Sequence, residues 1–358
     1  MSSLEKRDLK TDFKKTGHVF REGKMIKVKN RKWGLVLAGG GGKGAYQVGV
    51  LKAMEELGLL DEVVAVAGSS IGGLNAAMLA QGKVSVMEQI WSELTPKEVL
   101  TSAKGSTAAM EQLEEIFGEL SEFLAFDDMD KYLNGSDGMG VCTRDGMEKI
   151  IDNKISFDKI RNYDKKLFAT VTKIEDGNHV AQYELLNDKD DERMNQLLLA
   201  TSALPGVYDA VVIDGTRFWD GGVADNVPIK PLRDLGLKNF IVLRHTAGDV
   251  KLQKLSDTEE NIIEIVPSHT LGDFLTGTID FSHDSIMYRM ALGYYDGLTI
   301  FNEMERVQKG TPSEYLDFKM LMMENHEKAK GQQRRSLLED SVSQHMADFS
   351  KYENYYNH

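Results

Sequence analysis

The chain holds one cysteine in 358 residues, Cys142, so no intrachain disulfide can form. Neither that cysteine nor the eight histidines fall at metal-ligand spacing. A reducing compartment is implied, and Cys142 reads as a small packed residue. No apolar run approaches the ~20 residues that span a bilayer. The opening MSSLEKRDLKTDFKK lacks the apolar stretch of a secretory signal. The expected location is the cytoplasm, with any membrane contact peripheral. Positive charge is scarce, 43 Lys and Arg against 56 Asp and Glu for a net charge of −13. That balance excludes a general nucleic-acid binder, which needs clustered cations against phosphates. Internal repeats and a Pro/Gly/Ser linker are also missing, while the length suffices for a substantial core.

The cations that exist are unevenly placed, with eleven Lys and Arg against four Asp and Glu before residue 33. Residues 1–31 therefore form a basic N-terminal arm. Two readings stand for it, a solvated arm or one that meets anionic lipid headgroups. Beyond it, Trp33 opens a short apolar run, WGLVLA, that stops at four glycines and reads as a buried strand. A helical pattern follows, with Tyr46, Val50, Leu51, Met54 and Leu57 on one face and Gly58 suited to its C-cap. A second apolar run at 63–67 meets a cluster of glycines and serines, and a small-residue helix over 74–80 comes next. Strand, helix, strand, helix predicts an α/β fold with a parallel sheet and right-handed crossovers. Residues 84–155 read as a helical insertion over the sheet edge. Strands are expected at 167–171, 180–185, 210–213, 240–243 and 262–266, then long helices from Ser285 onward, three of them up to Lys351.

Gly39, Gly40, Gly41 and Gly42, followed by Lys43 and Gly44, lie between the first strand and its helix. The spelling satisfies G-x-G-x-x-G, but the second strand ends in Val66-Ala67-Gly68-Ser69, without the acid that holds a ribose. A phosphate-binding loop fails too, because Leu37 and Gly44 occupy its glycine and hydroxyl positions. An oxyanion hole fits better, since consecutive glycines at a helix N-terminus expose backbone amides in the favourable end of the helix dipole. A plain tight turn would use the same glycines.

Gly68-Ser69-Ser70-Ile71-Gly72 is G-x-S-x-G between a strand and a helix, the context in which a serine is thrust out of a sheet. A serine needs a base. Of the later histidines only His245, just after a predicted strand, has a plausible setting, and a strand-end residue with a satisfied hydrogen bond is the ordinary reading there. Asp220 is more specific. Gly221 and Gly222 beside it permit close approach, and its apolar neighbours Phe218 and Trp219 would raise its pKa towards that of a useful base. Asp225 competes, but with Asn226 and Pro228 it reads as a turn residue.

The glycine loop, the Ser70 elbow and Asp220-Gly221-Gly222 occur in the order found in the patatin-like phospholipases, which this chain resembles over residues 32–242. Ala45-Tyr46-Gln47-Val48-Gly49-Val50-Leu51, Gly73-Leu74-Asn75-Ala76 and Ala200-Thr201-Ser202-Ala203-Leu204-Pro205-Gly206 are similar to that family as well. The resemblance implies a three-layer, modified α/β-hydrolase fold with a central, mainly parallel sheet. It implies a Ser70–Asp220 dyad without histidine, an oxyanion hole at Gly39, Gly40, Gly41 and Gly42, and no metal or cofactor. Lys43 departs from the family's usual arginine, which removes any bidentate contact there. The expected domains are the arm, a catalytic domain over 32–243 and a mainly helical region over 244–358 packed on it. Ile265-Val266-Pro267-Ser268 and the helices beyond are more loosely similar to bacterial members, and no functional residue is carried over from them.

The implied activity is phospholipase A or lysophospholipase, acting on phospholipid or another acyl lipid. The alternatives are a catalytically silent lipid-binding protein on the same fold, or an esterase or serine peptidase differing only in its pocket. Phe123, Leu124, Phe126 and Met129 in the insertion would form either a membrane-facing rim or an inward-packed cluster.

Overall fold

A computed structural model describes residues 18–21, 24–27, 31–101, 140–175, 177–246 and 260–308. Its centre is a sheet of eight strands: β3 (Trp33–Leu37), β4 (Val63–Ser69), β5 (Lys166–Glu175), β6 (Asn178–Leu185), β7 (Val211–Ile213), β8 (Thr216–Asp220), β9 (Asn239–Leu243) and β10 (Asn261–Ile265). The remaining two, β1 (His18–Arg21) and β2 (Lys24–Lys27), pair as a separate antiparallel hairpin. That hairpin lies inside the expected basic arm, where the charge pattern gave no strand.

Strand order is β10-β9-β3-β4-β5-β8-β7, with β6 added to β5. Pairing is parallel from β10 to β5 and antiparallel at β6, β8 and β7. The parallel strands are apolar on both faces because both are covered. On β9, Ile241 and Leu243 join the larger core cluster while Phe240 and Val242 join the smaller.

The larger cluster is closed by α1 (Ala45–Glu56), α2 (Ile71–Leu79), α3 (Val84–Glu93), α5 (Asp145–Lys154), α7 (Asp191–Thr201) and α9 (His283–Gln308). The short helices α4 (Pro96–Val99) and α6 (Phe157–Arg161) connect them. On the other face α8 (Lys230–Asp234) adds Leu232 to the smaller cluster, which also holds Val36, Ala65 and Phe240. α9 packs along α1. The crossing is close, since a Cβ on Gly293 would stand 2.0 Å from the Tyr46 carbonyl oxygen. Tyr46 also donates from its hydroxyl to Asp296 Oδ2 at 3.0 Å.

Residues beyond 243 thus supply β10 to the same sheet and α9 to the same layer, so the expected boundary at 243 falls between two paired strands. The helices expected between 309 and 351, and the cluster of Phe123, Leu124, Phe126 and Met129, lie outside the described residues. Cys142 is buried, and burial pushes its thiol up to about 11, in keeping with a packing role. Among the described residues no helix is long and apolar enough to cross a membrane.

Candidate active site

One long strand aligns the two halves of the site. β5 carries β6 along one edge from Phe168 to Glu175. Its other edge is shared by β4, which ends with Ser69 opposite Thr170, and by β8, whose Asp220 stands opposite Val171. β4 runs parallel to β5 and β8 antiparallel, so their carboxyl ends meet head to head on neighbouring rungs. The chain leaves β4 through Ser70 and leaves β8 through Asp220.

Ser70 occupies the turn into α2 with φ 55° and ψ −129°, a left-handed conformation that costs a non-glycine residue of order 1–3 kcal/mol. The surroundings over-determine it. Its amide donates to Thr201 Oγ1 at 3.0 Å, and that hydroxyl donates to the Thr170 carbonyl at 2.5 Å. The first turn of α2 folds over β3 closely enough that a Cβ on Gly72 would stand 2.0 Å from the Leu37 oxygen. This helix begins at Ile71, three residues before the expected start, and so takes Ser70 as its N-cap.

Ser70 Oγ donates to Asp220 Oδ2 at 2.6 Å, and the Gly222 amide donates to Asp220 Oδ1 at 2.7 Å. Asp220 is fully buried, and that desolvation raises its pKa from 3.8 to about 7 against the two hydrogen bonds, which favour the charged form. Asp225 has the turn role expected of it. Its carboxylate accepts from the Tyr183 hydroxyl at 2.7 Å and from the Val227 amide at 3.1 Å, while its carbonyl accepts from Ser69 Oγ at 2.8 Å.

The glycine loop lies across from this pair. The Gly39 amide donates to Asn226 Oδ1 at 2.9 Å and is therefore taken. This corrects the expectation that all four glycines offer donors: Gly39 anchors the loop. The amides of Gly40, Gly41 and Gly42 have no acceptor among the described residues. Gly41 has φ 55°, and a Cβ there would stand 2.0 Å from the Thr278 carbonyl oxygen. Beneath the loop, Asn75 Nδ2 donates to the Gly44 carbonyl at 3.1 Å and to Gln47 Oε1 at 2.8 Å, and Trp91 Nε1 donates to Asn75 Oδ1 at 2.9 Å.

Lys43 is buried with its side chain against Gly277, and desolvation brings its pKa down to about 8, opposed by nearby Asp273. It does not line the cleft. His245 sits behind the loop, its Nδ1 2.9 Å from the Gly39 carbonyl oxygen, whereas Ser70 Oγ points to Asp220. The contact of Nδ1 is with the glycine loop, and Ser70 Oγ has no contact with this histidine.

Ser70, Asp220 and Gly41 open on a cleft of about 480 Å³, counting its mouth. Its walls are mostly apolar: Leu74, Met147, Leu204, Val207, Ile279 and Phe281 among them. Tyr208 also lines it, but its hydroxyl is turned away to the Val99 carbonyl at 2.5 Å. Sequence reasoning missed Thr201, Asn226 and the segment Thr278, Ile279 and Phe281 as parts of the site. Thr201 lay in a motif already noted and Asn226 in a turn already noted. The C-terminal segment carried no signal, because what it contributes is a carbonyl oxygen and two apolar walls.

Among the described residues no cluster of His, Cys, Asp and Glu could hold a metal ion. The patatin-like phospholipase profile matches residues 35–233, more than half of the chain. A lysophospholipase of Aspergillus terreus is 49% identical over 51 residues, 14% of this chain and 3% of that protein. A second lysophospholipase, from Cryptococcus neoformans, is 26% identical over 213 residues, covering 59% of this chain and 11% of its own length. The chain thus spans about a tenth or less of these relatives. Among solved structures, VipD of Legionella pneumophila aligns over 83% of this chain and 71% of its own, at 16% identity and a TM-score of 0.47. The chain belongs to the patatin-like phospholipase family.

Proposed function

We propose that this chain is a serine lipid acyl hydrolase, a phospholipase A or lysophospholipase cleaving carboxylic esters of glycerophospholipids through a Ser70–Asp220 dyad. One observation carries the reading. A serine hydroxyl donates at 2.6 Å to a buried carboxylate of pKa about 7, at the floor of an apolar cleft. Family membership supports it, as do the relatives named as lysophospholipases.

Asp220 is basic enough to take the Ser70 proton as Oγ attacks the ester carbonyl, and acidic enough to return it to the departing alcohol. The tetrahedral oxyanion forms against the Gly40 and Gly41 amides, each such donor being worth ~3–4 kcal/mol in comparable sites. Water, deprotonated by Asp220, then frees the acyl group. The fatty chain lies against Leu74, Leu204, Ile279 and Phe281, leaving the polar headgroup towards the mouth.

The test is labelling of the native protein with a fluorophosphonate, together with mass-spectrometric profiling of products from mixed phospholipids. The profile is compared between wild type and Ser70→Ala. Label on Ser70 and fatty acid released by wild type alone is the expected result. Lipid binding without label or turnover would instead mean a silent lipid-binding protein. Turnover confined to short acyl esters would mean a carboxylesterase.

A further inference from the structure

We propose that His245 is a positioning residue for this reaction, holding the Gly39–Gly40 peptide in the one orientation that turns the Gly40 N–H towards Ser70. The inference rests on the hydrolase reading above and adds to it a residue outside the dyad and the glycine loop.

Gly39 contributes its carbonyl and Gly40 its N–H to one plane, and the described peptides are all trans. In a trans peptide these two groups point in opposite directions. The Gly39 oxygen lies 2.9 Å from His245 Nδ1. Whatever holds that oxygen back therefore aims the Gly40 N–H away from His245. Ser70 and Gly41 line the cleft and His245 does not, the arrangement in which an N–H turned away from His245 serves the cleft.

Such a hold is needed here more than elsewhere. The residues flanking this peptide are both glycine, so no Cβ opposes rotation of the plane and the inverted orientation costs little sterically. Asn226 fixes the Gly39 amide at 2.9 Å, but that amide belongs to the preceding peptide unit. Asn226 Nδ2 reaches the Gly39 oxygen only at 3.5 Å. His245 is the close contact, and its ring packs tightly on Gly40: a Cβ there would stand 2.4 Å from Nδ1, 3.1 Å from Cγ and 3.2 Å from Cε1.

The imidazole is suited to a fixed role. It is 6% exposed, and its Nε2 is buried without a partner among the described residues. Burial, with Lys43, Arg289 and Arg244 nearby, depresses its pKa to about 3, so it stays neutral through the working range. Only the Nδ1–H tautomer then gives a hydrogen bond to a carbonyl oxygen.

The test compares His245→Leu, which fills the space without a donor, with His245→Asn, whose amide can place a donor near the Nδ1 position. Activity is expressed per fluorophosphonate-titratable Ser70, so misfolded molecules drop out of the count. The Leu variant is expected to lose on the order of 100-fold in kcat with KM little changed, the size of effect seen when one oxyanion donor is lost. Affinity for a trifluoromethyl ketone, which forms a tetrahedral adduct, is expected to fall in parallel. The Asn variant is expected to recover at least tenfold of that loss. An unchanged kcat in the Leu variant, a loss confined to KM, or equal losses in both variants would overturn the assignment. Ser70→Ala is run alongside: if it keeps full turnover, the hydrolase reading itself fails, independently of His245.

Discussion

Replacing Asp220 by Asn is expected to stabilise the fold at alkaline pH while abolishing turnover, and the size of the gain follows from the burial of the carboxyl. Asp220 has no solvent exposure, and its pKa rises from 3.8 to about 7. Each unit is worth about 1.4 kcal/mol, so the charged form costs the fold ~4 kcal/mol relative to the unfolded chain. The sign follows from proton uptake. With the folded pKa above the unfolded one, folding takes up a proton between about pH 4 and pH 7. Asp220 therefore contributes its stability fully below about pH 4 and loses it as pH rises through 7. An amide at 220 keeps the shape, accepts from the Gly222 amide, and carries no charge at any pH. Urea unfolding of wild type and Asp220→Asn across pH 4.5–8.5 reads the difference directly. The variant should lead by only ~1 kcal/mol at pH 4.5 and by up to ~4 kcal/mol above pH 7.5. A difference that stays flat with pH, or favours wild type at pH 8, would refute the reasoning.

Four further outcomes are expected. As Asp220 must be ionised to accept the serine proton, kcat/KM should rise about tenfold per pH unit up to about pH 7 and then level off, in a pH–rate series with a soluble ester. Thr201→Val leaves the Ser70 amide without its acceptor and should lower kcat by about tenfold or more with the melting curve still cooperative, read by circular dichroism and single-turnover kinetics. Asn75→Leu leaves the Trp91 indole N–H without its partner in the core and should cost about 2–4 kcal/mol in urea unfolding. Leu204→Trp narrows the cleft and should shift released fatty acids towards shorter chains in lipid profiling, with Ser70 labelling retained.

Most of the architecture is legible in the sequence where apolar runs end in glycines. β3 and β4 are short, apolar and punctuated in this way, and β9, apolar but followed by Arg244, also stands close to where its pattern predicts. β8 escapes the same reading, since Thr216 and Arg217 interrupt its apolar character. Its hairpin was nevertheless spelled out by Asp214-Gly215, both at positive φ in the two-residue turn between β7 and β8. The early start of α2 was hidden because Gly72 and Gly73 are poor helix formers, and the fold overrides that preference to seat Ser70 at the cap. Ser70 and Asp220 could be picked out by their neighbours, and the structure brings their side chains into contact. His245 and Thr278 could not be placed in this way. Their parts in the site depend on which backbone they lie against, and that is a long-range fact with no periodicity.

The head-to-head meeting of β4 and β8 on one edge of β5 also fixes a sequence in time. Ser70 is synthesised 150 residues ahead of Asp220. During that interval the elbow has neither its base nor the Asn226 that anchors the glycine loop. On the proposed dyad the elbow is thus inert in the nascent chain, and by the same logic β8 peeling from β5 would silence it before the rest of the sheet came apart. Activity in this molecule reports the zipping of three strands, so loss of turnover on gentle heating should precede loss of secondary structure.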